Sequence, residues 1–418
     1  MGRKIFTFVT IAALMMIVNS CEDTDYPDSL YDPDAESGPA PIITSVKPAA
    51  GVYAGIDDIT ITGGNFRADK ANNFVYFGGM KADILENSTT QIVVRAPIIE
   101  GDSLTVKVAA SGANALAEWT PYKIEFAAIE YGGVTDQADA YGIACDSLEN
   151  VYVYNGALRK IIKIPPDGSD AEDFAVVPEG SLLSSLTAMK MGPDGYLYGV
   201  DRKFVFKVSL YDSTFELLGG PVREPIRDFD FDQYGNIYTA SKKAIYCKKP
   251  DGSYTTAANY KVGINFYILT SARVYDSYVY VSGSISVADT TLVQSGIWRN
   301  KILSATGDLD TNELVFDWEG YVGATGPAIT AITFSADGTL YVGADAGYAI
   351  VMLEPAGDNY LNSVPAPLYQ AVLLPPSTNF CWGTGQYLYV NRKSSDSKEM
   401  RLIRITMGKE SATYWGRQ

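Results

Sequence analysis

Short apolar segments alternate with turns of glycine, asparagine and aspartate over most of the chain. In residues 41–125 the apolar side chains fall at every second position, as in Ile59-Thr60-Ile61-Thr62, and glycine-rich turns follow the segments. A period of two predicts half-buried β-strands. Several such strands over this length of chain predict an immunoglobulin-like β-sandwich.

A second pattern repeats over residues 126–418, where each unit has an apolar strand, an acidic or glycine turn and a second strand that ends in tyrosine. The repeat tyrosines are Tyr152, Tyr198, Tyr238, Tyr280, Tyr341 and Tyr389. This spacing is typical of four-stranded blades, so the six units predict a six-bladed β-propeller. We expect residues 126–131 to close the ring beside residues 413–415, which would leave no exposed sheet edge.

Residues 1–20 are typical of a secretory signal peptide. Arg3 and Lys4 precede an apolar stretch, residues 5–18, that is too short to span a bilayer. The segment Val-Asn-Ser-Cys that ends at Cys21 resembles a bacterial lipobox, which implies acylation of Cys21 (palmitate) and a lipid anchor in the membrane. An ordinary secretory signal with an incidental cysteine is the alternative.

Residues 21–40 are predicted to be a tether. From residue 22 onward this stretch holds seven acidic side chains and no basic one, so it cannot bury enough apolar surface to fold. An acidic patch behind an acylated cysteine resembles the surface-export signal of lipoproteins in the Bacteroidetes. The resemblance implies an outer-membrane location facing the cell exterior, and a periplasmic linker is the alternative.

The amino-acid composition excludes several classes of function for this chain. The chain has no histidine, which excludes Ser-His-Asp triads, Cys-His dyads and imidazole zinc sites. Its net charge of −16 is not interrupted by a basic run, so no nucleic-acid partner is expected. Cys145, Cys247 and Cys381 fit no metal or disulfide spacing and are predicted to be buried thiols.

A partial match to a calcium-binding loop lies in the fourth unit. Asp308, Asp310, Asn312 and Glu319 stand at ligand positions, but Glu313 occupies the position that needs glycine. A solvated insertion is the favoured interpretation, and no metal or cofactor is predicted.

Two family resemblances support the predicted folds. Residues 41–48 (Pro-Ile-Ile-Thr-Ser-Val-Lys-Pro), 63–66 (Gly-Gly-Asn-Phe) and 75–78 (Val-Tyr-Phe-Gly) resemble the recurring motifs of IPT/TIG domains. The units of the second pattern resemble NHL repeats. Together they imply an all-β chain with an immunoglobulin-like IPT/TIG domain at 41–125, acting as a spacer, and a six-bladed NHL-like β-propeller at 126–418.

Two carboxylates are candidates for acid–base chemistry. On the first strand of the third unit, Phe229 and Phe231 should pack between blades, which turns Asp228 and Asp230 toward the central channel. A cross-channel ion pair between Lys190 and Asp230 is the favoured interpretation. Carboxylate chemistry on sugars is the alternative, but no acid–base partner is identifiable, and no catalytic residue is predicted.

Loops that follow the second strand of each blade should gather on one face and form a rim suited to sugars, because aromatic rings stack on sugar rings and polar groups bond hydroxyls. The predicted ligand-binding residues are Tyr141, Arg202, Trp298, Arg299, Tyr348, Trp382 and Arg392. Trp298 and Arg299 are placed on a long insertion of the fourth blade. Packing between blades is the alternative for each aromatic residue.

The order of anchor, tether, sandwich and propeller resembles the auxiliary glycan-binding proteins of Bacteroidetes polysaccharide-utilisation systems. This layout implies a cell-surface lipoprotein that binds an extracellular polysaccharide, oligosaccharide or similar nutrient for an outer-membrane uptake system, with a TonB-dependent transporter complex as partner. We expect no enzymatic activity. The alternatives are a carboxylate-dependent propeller glycoside hydrolase or lyase, and a protein-binding adaptor.

Overall fold

The computed structural model describes residues 37–134, 140–178, 186–370, 372–393 and 400–416, with the backbone alone at residues 140, 141, 393, 400 and 401. The predicted signal peptide, Cys21 and most of the tether lie outside the described residues. No helix in the described part is long and apolar enough to cross a membrane. The chain divides into two compact units, and the predicted domain boundaries stay predictions.

The strands between residues 42 and 125 form an immunoglobulin-like β-sandwich. One sheet has the strand order β1-β3-β7-β6 and the other β2-β9-β8-β4-β5. The strands are β1 Ile42–Lys47, β2 Val52–Tyr53, β3 Asp58–Gly64, β4 Asn73–Phe77, β5 Met80–Ala82, β6 Ile84–Asn87, β7 Gln91–Arg95, β8 Gly101–Ala110 and β9 Ala117–Glu125, with a 3-10 turn at Lys70–Asn72. The period-two pattern predicted this arrangement, since Ile59 and Ile61 are fully buried and Thr60 and Thr62 between and after them are not.

From residue 128 onward the strands of the described residues form six sheets, the blades of the predicted β-propeller. Blade one contains β11 Ala140–Cys145, β12 Val151–Asn155, β13 Lys160–Ile164 and β14 Glu172–Val176. Blade two contains β15 Ala188–Met191, β16 Leu197–Asp201, β17 Phe204–Val208 and β18 Phe215–Leu217. Blade three contains β19 Ile226–Phe231, β20 Ile237–Ser241, β21 Ala244–Lys248 and β22 Tyr254–Asn259. Blade four contains β23 Lys261–Val262, β24 Asn265–Tyr275, β25 Tyr278–Ile285, β26 Ser295–Lys301 and β27 Glu313–Asp317, followed by helix α1 Trp318–Val322. Blade five contains β28 Ile329–Phe334, β29 Leu340–Ala344, β30 Ile350–Leu353 and β31 Ala366–Pro367.

The sixth blade closes the ring with strands from both ends of the propeller sequence. Its order is β10-β34-β33-β32, with β10 Ala128–Glu130, β32 Asn379–Trp382, β33 Tyr387–Lys393 and β34 Met400–Thr406. The prediction that residues 126–131 supply the closing strand is confirmed, but its partner is β34 and not residues 413–415. The reason is that β34 has apolar side chains on both faces, with Leu402 in the core shared with the first blade and Ile405 in the core shared with the fifth blade. Tyr414 lies in a separate segment beyond it.

The repeat tyrosines are buried, and in three blades the hydroxyl donates a hydrogen bond to an aspartate in the turn between the first and second strands. The O···O distances are 3.1 Å for Tyr152 to Asp146, 2.9 Å for Tyr198 to Asp194 and 3.3 Å for Tyr238 to Asp232. Each tyrosine thus fills the space between blades and also fixes the turn that precedes it, which explains why turn and tyrosine recur together.

The sixth unit has no aspartate in this turn, and a glutamate from the first blade takes its place. The Tyr389 hydroxyl donates to Glu149 Oε1 at 3.0 Å. The backbone N–H of Thr384 donates to the other carboxylate oxygen at 2.6 Å, and the Thr384 hydroxyl also bonds it. These bonds join the first and sixth blades, so they cross the seam at which the ring closes.

We predict that Asp232→Ala lowers the free energy of unfolding by about 3 kcal/mol, because several donors lose a buried carboxylate acceptor. The Asn236 side chain keeps one bond, to the Ala305 carbonyl at 3.0 Å. Asp232 accepts from the backbone and side-chain nitrogens of Asn236 as well as from Tyr238. Asp194→Ala is the control and should cost about 1 kcal/mol, since Asp194 is exposed and water can replace it. Urea unfolding followed by tryptophan fluorescence measures both, and equal costs would contradict the assigned role of the buried turn.

Candidate functional site

The first strand of each blade contributes one residue at the level of the repeat tyrosine, which is its pairing partner. These residues are Ala144, Lys190, Asp230, Arg273, Thr333 and Cys381. Five of them line a cavity in the central channel. Inward orientation of the third-unit aspartates is therefore as expected, and Arg273 is the member that sequence reasoning missed. Its position opposite Tyr280, like that of Asp230 opposite Tyr238, was the signal that could have found it.

Asp228, one level away, is the centre of a buried charge network. It accepts from Arg273 Nη1 at 2.6 Å, Ser271 Oγ at 2.7 Å and the Ala272 backbone N–H at 3.1 Å. Lys190 Nζ lies 4.0 Å from the other carboxylate oxygen. Burial favours the protonated acid, but Arg273 and then Lys190 hold the pKa of Asp228 below its ordinary value. The predicted partner of Lys190 was Asp230; the ion pair in the structure is with Asp228.

Asp230 has a different environment although it is only two residues away. Its carboxylate accepts from the backbone N–H groups of Val274 at 2.8 Å and Phe231 at 3.1 Å. Burial raises the pKa of Asp230, and the attraction of Lys190 and Arg273 does not offset it. The two aspartates therefore differ, because folding lowers the pKa of Asp228 and raises that of Asp230.

The cavity beside this network has a volume of about 60 Å³. A water molecule occupies about 30 Å³ in the liquid, and ligand pockets measure about 300–1,000 Å³. The channel cavity is therefore the size of a few water molecules and too small for a sugar ring.

Residues 408–416, which we call the C-terminal strap, border this cavity from the face that carries the turns between first and second strands. Backbone hydrogen bonds join Ala336 N–H to Glu410 at 2.9 Å and Ala412 N–H to Phe334 at 3.2 Å. Further along the strap, the Tyr414 hydroxyl donates to the Met191 carbonyl at 2.5 Å. The strap is thus fixed to the fifth blade at one end and to the second blade at the other.

A second and much larger depression lies on the other side of the strap, with a volume of about 790 Å³. We call it the strap depression. It is lined by strap residues 410–415 and by turns of blades one, four, five and six, among them Ser147, Tyr275, Asp276, Ala336 and Thr384. Its volume falls in the range of ligand pockets, and it offers three partly exposed aromatic side chains, Tyr275, Tyr414 and Trp415, beside carboxylates and hydroxyls.

The fourth-blade turn that borders the strap depression has an uncommon backbone. Asp276 and Ser277 have φ angles of 45° and 64°, a left-handed conformation that glycine adopts most easily. Both side chains are exposed. Next to the turn, Tyr275 stacks on Phe334 at 4.6 Å between ring centroids, which holds the Tyr275 ring at the wall of the depression.

The predicted insertion residues Trp298 and Arg299 lie on β26, the third strand of the fourth blade, and not on a loop. The Trp298 ring is 7% exposed and packs against Tyr267 at 4.5 Å and Tyr260 at 6.1 Å. Arg299 bonds both oxygens of Glu313, at 2.7 and 2.9 Å. Placement on the insertion was therefore wrong, because strand alternation continues through these residues, while their role in ligand binding stays an untested prediction.

The other predicted ligand-binding residues are dispersed. Trp382 is 7% exposed, and its indole N–H donates to Thr333 Oγ1 at 3.1 Å beside the channel cavity. Arg202 and Tyr348 are exposed, Arg392 is partly exposed, and the side chain of Tyr141 lies outside the described part. Of the predicted residues whose side chains are described, none lines the strap depression. Their assignment remains a prediction.

The partial calcium loop is occupied by the protein's own donors. Asp308 Oδ2 accepts from the hydroxyls of Ser304 at 2.6 Å and Thr306 at 2.8 Å, and the Asn312 side chain bonds Asn300 at 2.8 Å. Among the described residues there is no group of three or more His, Cys, Asp or Glu side chains that could hold a metal ion.

Comparisons with known proteins agree with both folds. Residues 41–124 match the IPT/TIG domain family, which confirms the resemblance seen in the sequence. A candidate phosphatase from Bacteroides thetaiotaomicron is 11% identical with a TM-score of 0.55, and the match covers 92% of this chain and 99% of that one. An auxiliary nutrient binding protein from the same organism is 12% identical with a TM-score of 0.49, over 89% and 98% of the two chains. No curated protein sequence matches this chain.

A luciferin-regenerating enzyme corrects one expectation. It is 14% identical with a TM-score of 0.51, and the match covers 70% of this chain and 99% of that one. Identities this low show the fold alone, yet they show that a catalytic protein is built on it. The expectation of no enzymatic activity, which treated the propeller as a binding module only, was therefore wrong.

We predict that substitutions of the two channel aspartates change the free energy of unfolding in different ways. Asp228→Asn leaves the buried Arg273 without its carboxylate and should lower the free energy of unfolding by about 3 kcal/mol. Asp230→Asn removes a carboxyl whose pKa is raised by folding. Such a group contributes stability that is complete below the pKa of the unfolded chain, about 3.9, and is lost as the pH rises through its folded pKa.

Asp230→Asn should therefore gain stability relative to the natural protein as the pH rises from about 4 through that folded pKa. Urea unfolding at a series of pH values measures both variants. If Asp230→Asn is as destabilised as Asp228→Asn at every pH, the assigned difference between the two carboxyls is wrong.

Proposed function

We propose that the protein captures an extracellular polysaccharide or oligosaccharide in the strap depression, as a nutrient for an outer-membrane uptake system. The observation that carries the proposal is a ligand-sized depression, about 790 Å³, whose wall combines aromatic rings with carboxylates and hydroxyls. Sugars need both kinds of group, because their ring faces are apolar and their edges carry hydroxyls.

The groups of the depression are held in place before a ligand arrives. Tyr275 is stacked on Phe334, and Trp415 packs against the core between the second and third blades and the core between the third and fourth blades. Backbone bonds of the strap to Phe334 and Ala336 fix the opposite wall. Preorganised rings lose little freedom on binding, so more of the contact energy appears as affinity.

The strap depression and the channel cavity have different roles in this proposal. The cavity beneath the strap is too small for a sugar, and its charges pair with one another. The wide depression outside the strap is open to long chains, as a polysaccharide-binding site must be. Capture then takes place on the face that carries the turns between first and second strands.

The cellular setting rests on the sequence. The basic and apolar start, the lipobox-like segment before Cys21 and the acidic tether support a lipid-anchored protein that faces outward from the outer membrane. A TonB-dependent transporter complex is the proposed partner for uptake of the captured sugar. The resemblance in layout to glycan-binding proteins of polysaccharide-utilisation systems supports this setting.

We predict that Trp415→Ala weakens binding of the captured glycan at least about tenfold, the loss expected when a central aromatic contact is removed. The purified protein is screened against plant, host and microbial polysaccharides by retarded-mobility gels, and hits are measured by titration calorimetry. Overnight incubation with each hit also detects chain shortening, which would show that captured glycan is cleaved.

Tyr211→Ala is the matched control, because Tyr211 is 98% exposed and lies in the second blade outside the strap depression. It should leave the affinity unchanged. Circular dichroism of both variants verifies that they fold. Binding to none of the polysaccharides, or an equal loss of affinity in the two variants, would count against capture in the strap depression.

A further inference from the structure

We infer that the glycan taken by the strap depression is uncharged, and that the depression selects against uronic acids and other anionic sugars. The inference rests on the proposed function, which it deepens by naming the ligand class. It follows from the charges that surround the depression, and each of them can be assigned from the contacts of its side chain.

Two carboxylates line the depression directly. Asp276 lies on the fourth-blade turn and Glu410 lies on the strap, so they stand on different walls. Both are exposed. Among the residues that the structure describes, no lysine or arginine lies within ion-pair distance of either carboxylate.

A third carboxylate borders the sixth-blade turn. Glu149 accepts from Thr384, which itself lines the depression, and from Tyr389. These donors are neutral, so they hold the carboxylate in place without removing its charge. Glu149 therefore adds negative potential on a further side of the depression.

Lys409, which precedes Glu410 on the strap, already forms an ion pair with another carboxylate. Lys409 Nζ lies 2.8 Å from Asp337 Oδ2 and 3.0 Å from the Thr339 hydroxyl. The hydrogen bond to Asp337 raises the pKa of Lys409, so the lysine stays charged and paired. In the part of the chain that the structure describes, no lysine or arginine lines the depression.

Cations below the strap do not compensate either. Arg273 bonds Asp228 directly and Lys190 lies 4.0 Å from the same carboxylate, both in the channel cavity and not in the depression. Among the described residues, the charged side chains at the depression are thus the carboxylates of Asp276, Glu410 and Glu149, so the described part of the site carries negative charge.

These carboxylates attract one kind of ligand group and repel another. Carboxylate oxygens accept hydrogen bonds from sugar hydroxyls, and such charge-assisted bonds are stronger than neutral ones. The same oxygens repel a ligand carboxylate, which finds no lysine or arginine to pair with among the described residues that line the depression. A neutral glycan therefore gains bonds where an anionic glycan of equal shape meets repulsion.

The test compares sugars that differ only at C6, where the uronate has a carboxylate and the neutral sugar a hydroxymethyl group. β-1,4-Mannohexaose and the hexamer of β-1,4-mannuronate share backbone and linkage, as do cellohexaose and the hexamer of β-1,4-glucuronate. Titration calorimetry with the purified protein should give an affinity at least about tenfold higher for the neutral member of any pair that binds. The difference should shrink when the salt is raised from about 20 mM to about 500 mM, because the repelling carboxylates are exposed and screened by ions.

The double variant Asp276→Asn, Glu410→Gln should bring the affinity for the uronate at least about fivefold closer to that of its neutral partner, mainly by tightening uronate binding. Glu172→Gln, at an exposed carboxylate on the outer strand of the first blade, is the control and should leave the ratio unchanged. Equal or tighter binding of the uronate, or a ratio that the double variant does not change, would overturn the inference. If no member of either pair binds and the polysaccharide screen is also silent, the proposed function itself fails and the inference falls with it.

Discussion

Closure of the propeller ring is the constraint on which the other features of the second unit depend. Pairing of Ala128–Glu130 with the strand Met400–Thr406 makes one blade from distant parts of the sequence. The bonds of Glu149 to the sixth-blade turn and to Tyr389 join the same two blades at a second place. Without closure the first strands would not surround a channel, and each end of the blade series would expose an unpaired edge.

The closed ring also determines where the C-terminal strap runs. Once β34 is in the sixth blade, the residues that follow it emerge on the face of the turns between first and second strands. There the strap bonds to the fifth and second blades and divides the centre of the propeller into a small charged cavity and a wide depression. The buried charges of the cavity are satisfied internally, so the surface available to a ligand is the outer depression.

The repeats allowed much of this architecture to be predicted, because turn aspartate, glycine and tyrosine are local signals that recur with each blade. The closing strand near residue 128 was also predicted, but its partner was not. The aromatic residues Tyr414 and Trp415 resemble a strand in the sequence, whereas in the structure they lie outside any strand. The strap depression has no local signal at all. It combines turns from four blades with the strap, and Arg273 of the fourth blade joins the channel network through its bond to Asp228 of the third.

The account depends most on where a glycan binds, and a crystal structure of the protein with a neutral hexasaccharide that binds in solution tests this directly. We expect electron density for the sugar in the strap depression, with rings against Trp415 or Tyr275 and hydroxyls at Asp276 or Glu410. Density on the opposite face, at the loops that follow the second strands, with the strap depression empty, would contradict it.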